Sequence, residues 1–156
     1  MKHLKLFEDI YDNEMEYHMA EIKDLFQSVI DDYNMYDIER GVLNPSSLKI
    51  GHIYYQFQKD WRNIRFSTNW NGIAASKIDK LSSSNNIRLI IVNRNDFNEN
   101  LSLDIDSFIK RIESIGYKTY SDVDDIKERV FGKFEYAKST GYYVDIIIDF
   151  SDLSNT

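Results

Sequence analysis

The sequence contains no cysteine, a single proline and only six glycines among its 156 residues. Without thiols the chain has no disulfide, zinc–thiolate site, iron–sulfur cluster or cysteine nucleophile. It also has no glycine-rich phosphate loop and no serine in a nucleophile-elbow pattern, and it has only three histidines. The sequence therefore predicts neither a hydrolase triad nor a nucleotide-binding enzyme, although acid–base catalysis by carboxylates stays open.

Long apolar runs are missing as well. The longest, residues 89–92, has the length of a strand and falls far short of the roughly 20 residues that cross a bilayer. Acidic residues follow the basic N-terminus at once, without the apolar stretch of a signal peptide. With 42% hydrophobic residues, the chain is expected to form one folded domain over residues 1–156, in the cytoplasm and away from membranes.

Charge is sorted into three blocks along the chain. Residues 1–40 carry four basic and eleven acidic side chains, a net charge of −7. Residues 41–95 carry eight basic and two acidic side chains, a net of +6, and residues 96–156 carry seven and thirteen, a net of −6. The total of −7 argues against uniform coating of nucleic acid or anionic membrane, but it leaves room for a local basic site.

The basic block also contains both tryptophans, which makes it the candidate binding region. Residues 48–58 and 62–67 are predicted to form a hairpin on which Trp61 and Arg65 share one face. Aromatic rings beside cations bind single-stranded nucleic acid, and the same residue types are enriched in protein interfaces. A face that is solvated or paired within the chain is the third interpretation. The candidate binding residues are Lys59, Trp61, Arg62, Arg65 and Trp70.

Hydrophobic periodicity predicts the order of the secondary-structure elements. Apolar residues recur every three or four positions in residues 13–33, and they are expected to pack on the protein's own sheet. A second helix is predicted to end near residue 81, and a third to begin at Asp104 and end at Gly116. Strands are predicted over residues 48–58, 62–67, 87–94, 117–121, 131–138 and 142–150, with the loop of the last hairpin at residues 139–141 and a helical turn at residues 122–129.

This order neither alternates regularly between strands and helices nor consists of strands alone. It predicts an α+β protein with a largely antiparallel sheet and with helices packed mainly on one face. The strand–helix–strand unit of residues 87–121 fits either a parallel right-handed crossover or a split β-α-β unit.

Several acidic residues lie close together in the sequence and raise the question of a metal site. In the last predicted strand the even-numbered apolar residues face the core, whereas Asp145 and Asp149 face solvent. These two carboxylates lie four residues apart, about 13 Å, which is too far to share one ion directly. Asp104 and Asp106 lie at a predicted helix start, where capping explains them. The sequence therefore predicts no metal and no cofactor.

The first eight residues, Met1-Lys2-His3-Leu4-Lys5-Leu6-Phe7-Glu8, resemble the opening of many small proteins of large tailed bacteriophages. Those proteins often begin with a lysine-rich Leu-Phe-Glu leader before an amphipathic helix, and in some phages such leaders mark proteins of the head. The resemblance implies a phage protein, located in the host cytoplasm or the virion, but it assigns no role to any residue.

Together these observations predict a non-enzymatic binding protein. An accessory or virion protein of a phage or bacterium is expected to contact another protein or its own copies through the predicted hairpin. A single-stranded nucleic-acid-binding protein and a carboxylate-dependent enzyme are the alternatives.

Overall fold

The computed structural model describes residues 2–38, 48–59, 85–121, 132–136 and 139–153. This part of the chain contains the helices α1 (Lys2–Tyr33) and α2 (Glu99–Ser114). Its strands are β1 (Tyr36–Asp37), β2 (Ile53–Gln58), β3 (Asn86–Asn93), β4 (Lys118–Ser121), β5 (Gly132–Tyr136) and β6 (Ser139–Asp149), and a short 3-10 turn (Ser151–Leu153) follows them.

The six strands form one sheet in the order β1-β2-β3-β6-β4, and β5 pairs with the same edge of β6 as β4 does. Among the described strands only the short β1–β2 pair is parallel, and the other pairs are antiparallel. Because β3 and β4 both run antiparallel to β6, which lies between them, β3, α2 and β4 form a split β-α-β unit. This is the second of the two arrangements that the sequence left open.

The main hydrophobic core lies between one face of the sheet, here called the first face, and both described helices. Alternate residues of β3 and β6, among them Leu89 and Ile146, point toward α1 and α2 and are fully buried. Phe26 of α1 and Ile105 of α2 meet them from the helical side. The predicted fold class, α+β with a mostly antiparallel sheet, is confirmed.

The central strands are buried on the opposite face of the sheet, the second face, as well. All eight residues of β3 are inaccessible to solvent, as expected for a strand inside a sheet, and Ile90 and Val92 form a second, smaller cluster. Asp145 of β6, expected from the sequence to face solvent, points to this second face as the alternation requires but is fully buried. The direction of the Asp145 side chain was predicted correctly, but its exposure was not. Its carboxylate forms a buried ion pair that is described below.

Several boundaries differ from the sequence-based expectation. The first helix begins at Lys2 and not near residue 13, and the first long strand begins at Ile53 and not at residue 48. The helix α2 begins five residues before Asp104, because the side chain of Asn98 accepts a hydrogen bond from the backbone N–H of Leu101 at 3.2 Å and caps it. The predicted end of α2 is confirmed, because the helix ends at Ser114, and Gly116 follows the capping residue Ile115.

The last hairpin is present, but its turn was placed too late. Residues 139–141 belong to β6, because Ser139 pairs with Tyr136 and Gly141 pairs with Phe134. The predicted strand at residues 62–67, the helix ending near residue 81 and the turn at residues 122–129 lie outside the described residues.

Candidate functional site

Of the five predicted binding residues, only Lys59 lies in the described part of the chain; the other four, Trp61, Arg62, Arg65 and Trp70, lie outside it. Lys59 follows β2, and its amine forms an ion pair with the carboxylate of Glu16 on α1. Both side chains are well exposed, at 41% and 62%, so the pair contributes no more than about 1 kcal/mol to stability. This ion pair joins the basic block, residues 41–95, to helix α1 of the acidic block in the same chain.

A cluster of three partly exposed rings lies at the β1 edge of the sheet, on the second face. The parallel pairing of β1 with β2 places Tyr36 beside Tyr54. The ring centroid of Tyr36 lies 4.7 Å from that of His52 and 5.8 Å from that of Tyr54. Tyr36 is 51% exposed, and Ile50, two residues before His52, is 79% exposed. We call Tyr36, His52 and Tyr54 the aromatic patch.

Sequence reasoning did not single out the aromatic patch. The alternation of β2 places His52 and Tyr54 on one face, and that signal was available. Tyr36 lies far from them in sequence, and only the pairing of β1 with β2 brings it into contact.

A groove of about 190 Å³ runs between α1 and the β1–β2 edge on the first face. The helix contributes Lys23, Gln27 and Ile30. The β1–β2 side contributes Asp37 together with apolar and aromatic side chains, including Phe57. The amine of Lys23 lies 5.7 Å from the centroid of the Phe57 ring, which is within range for a cation–π interaction. The groove therefore offers an aromatic wall with a cation at its rim.

The second face of the sheet holds a buried ion pair. The guanidinium of Arg88 donates two hydrogen bonds to Asp145, one from Nε to Oδ1 at 2.7 Å and one from Nη2 to Oδ2. The two side chains are 5% and 0% exposed. Beside them Gln58 donates to Gln56 at 2.7 Å, and Gln56 donates to the backbone carbonyl of Ile38 at 2.8 Å. The ion pair joins β3 to β6, and the glutamine bonds join β2 to the residue after β1.

A hydrogen-bond network lies in the main core, where the hydroxyl of Tyr117 bonds to both His18 and Glu21. The Tyr117 hydroxyl donates to the Glu21 carboxylate at 3.1 Å, so it accepts from Nδ1–H of His18 at 2.7 Å. Phe150 stacks on the His18 ring with centroids 4.4 Å apart. Burial lowers the pKa of His18 and raises that of Tyr117. The network joins α1 to the residue before β4, and the His18 and Tyr117 rings are buried.

One further bond ties the two helices together. The Tyr33 hydroxyl donates to the carboxylate of Asp104 at 2.5 Å, and burial together with this bond raises the pKa of Tyr33 to about 12. Asp104 therefore contacts α1 and does not cap α2.

No three His, Asp or Glu side chains are placed to hold a metal ion in the part of the chain that the structure describes. No helix among the described residues combines the length and hydrophobicity of a membrane span. Comparison with known proteins finds no matching family model and no significantly similar curated protein or solved structure. Inference about function therefore depends on the surfaces described above.

Proposed function

We propose that the chain is a non-enzymatic binding protein, an accessory or virion protein of a phage or bacterium, that acts through protein–protein contacts. The observation that carries the proposal is the aromatic patch, together with the exposed Ile50 two residues before His52 in sequence. Tyrosine and other rings are enriched at protein interfaces because they bury a large area at little entropic cost. A second copy of the chain is the partner that can be tested first.

If copies associate through this patch, the mass in solution rises above the 18.5 kDa monomer as concentration increases. Replacing Ile50 by aspartate then weakens association at least about tenfold, since a charge would be buried without a partner. Sedimentation equilibrium over a range of concentrations measures both effects.

Leu103→Asp is the matched control, because Leu103 is also an exposed apolar residue, at 57%, but lies on α2. The control variant is expected to associate like the unaltered chain. A mass of 18.5 kDa at every concentration contradicts self-association. Equal weakening by the two substitutions contradicts the role of the patch.

Binding of single-stranded nucleic acid is a second candidate, because two rings of the aromatic patch, His52 and Tyr54, belong to the block of net positive charge, residues 41–95. If the chain binds single-stranded nucleic acid, we expect a labelled oligonucleotide to bind at low salt and its affinity to fall steeply as salt rises. We expect the double variant Arg62→Ala with Arg65→Ala to abolish this binding. Fluorescence anisotropy measures the affinity. Absence of binding at low salt rules this candidate out.

A further inference from the structure

The outer edge of β2, on the side away from β3, is only partly covered. On that side β1 pairs with just two of its six residues, Tyr54 and Tyr55. The backbone N–H of Ile38 donates to the carbonyl of Tyr55 at 2.9 Å, and the described part of β1 ends there. The side chain of Gln56 donates to the Ile38 carbonyl and so satisfies the last acceptor of that strand.

The direction of the remaining backbone groups follows from two observed bonds. The His52 carbonyl accepts from Arg94 on the β3 side, whereas the Tyr55 carbonyl faces β1. Backbone groups along a strand alternate between its two sides, so the N–H and C=O of Phe57 point to the same outer edge as those of Tyr55. No described residue pairs with Phe57 on that edge.

The groove between α1 and β2 runs along this same stretch. Its wall contains Ile30 and the rings of Tyr55 and Phe57, and the Lys23 amine lies over the Phe57 ring. An edge strand beside a helix-lined groove is the arrangement in which a peptide adds as an extra strand, its backbone bonding to the edge and alternate side chains entering the groove.

We propose that the groove binds an extended segment of a partner protein, which adds as a strand to β2 at Phe57. Alternate side chains of the segment face α1, one of them apolar against Ile30 and Phe57 and the next acidic against Lys23. The inference rests on the proposed action through protein contacts. A second copy is the alternative occupant of this edge, and the concentration dependence of amide exchange at Phe57, described next, distinguishes it from a partner protein.

Amide hydrogen exchange tests the edge in the free protein. Because Gln56 and Gln58 point their N–H groups toward β3, the amide of Phe57 is expected to exchange at least about tenfold faster than theirs. Slow exchange at Phe57 in the dilute chain would mean that the edge is already paired and overturns the inference. Protection of Phe57 that grows with protein concentration assigns the edge to a second copy and overturns it too.

Selection of random displayed peptides of about ten residues, the length of a long strand, tests the occupant. Enriched peptides are expected to alternate apolar and acidic residues and to slow exchange at Phe57. Lys23→Glu weakens their binding about tenfold, whereas Lys110→Glu, at another exposed helical lysine, leaves it unchanged. Lack of enrichment, or equal binding to both variants, overturns the inference. The effect of Ile50→Asp on self-association is measured separately, so failure here is distinct from failure of the proposed function.

Discussion

Replacing Asp145 by asparagine is expected to lower the free energy of unfolding by about 3–5 kcal/mol. The carboxylate is fully buried and accepts two hydrogen bonds from Arg88, which is 5% exposed. Asparagine has nearly the same shape but no charge, so the variant removes the carboxylate that holds the buried Arg88 guanidinium through two hydrogen bonds. A domain of this size is stable by about 5–15 kcal/mol, and the loss is therefore a large fraction of the total. Urea denaturation measures it.

The double variant Arg88→Met with Asp145→Leu is the matched control for this expectation. Removing both charges also removes the cost of burying them, and apolar residues of similar volume often replace such a pair without loss. We expect the double variant to recover most of the stability lost in Asp145→Asn. With the single variants Arg88→Met and Asp145→Leu it completes a double-mutant cycle, in which we expect a large coupling energy. A loss below about 1 kcal/mol in the single variant would contradict a desolvated pair.

This pair also shows where sequence reasoning about the fold succeeded and where it stopped. The alternation of the last strand correctly placed Val144, Ile146 and Ile148 toward the helices and Asp145 on the opposite face. Periodicity gives direction, but exposure depends on what covers a face and on distant partners. Arg88 lies 57 residues away, and no local pattern joins it to Asp145.

The helices likewise show that periodicity predicts which face is buried but not every contact or boundary. The apolar stripe of α1, from Met19 through Phe26 to Ile30, is buried as the spacing predicted. The start of α2 was missed because Asp104 and Asn98 are both acceptable caps in sequence, and only the structure shows that Asn98 bonds to the helix. Tyr33, which bonds to Asp104, lies on a different helix.

The candidate site was harder to predict than the fold. The contrast between the acidic and basic blocks has described counterparts inside the chain, because Lys59 and Arg88 of the basic block pair with Glu16 and Asp145 of the two acidic blocks. The aromatic patch and the groove both arise at the β1–β2 edge, because β1, which follows α1, pairs in parallel with residues of β2 that lie 18 positions later, as Tyr36 does with Tyr54. Neither composition nor spacing encodes a pairing of that kind, since it depends on the path of the intervening chain.

Replacing Phe26 by alanine is the other substitution for which we expect a large effect, again a loss of about 3–5 kcal/mol. The ring is fully buried and lies edge-on to those of Tyr55, Phe57 and Phe108, with centroids 5.0–6.0 Å apart. Truncation removes these contacts and leaves a cavity between α1, α2 and β2, because a packed core closes only partly around it. Urea denaturation again measures the loss.

Phe97→Ala provides the matched control, since it removes the same atoms from a ring that is 53% exposed and contacts only Tyr142 among the described aromatic rings. Its cost is expected to be within about 0.5 kcal/mol of zero, or slightly more if the edge-on contact contributes. Because Tyr55 and Phe57 also line the groove, Phe26→Ala should loosen the groove wall, whereas Phe97→Ala should not. Similar losses of unfolding free energy in the two variants would contradict a central position of Phe26 in the core and its support of the groove wall.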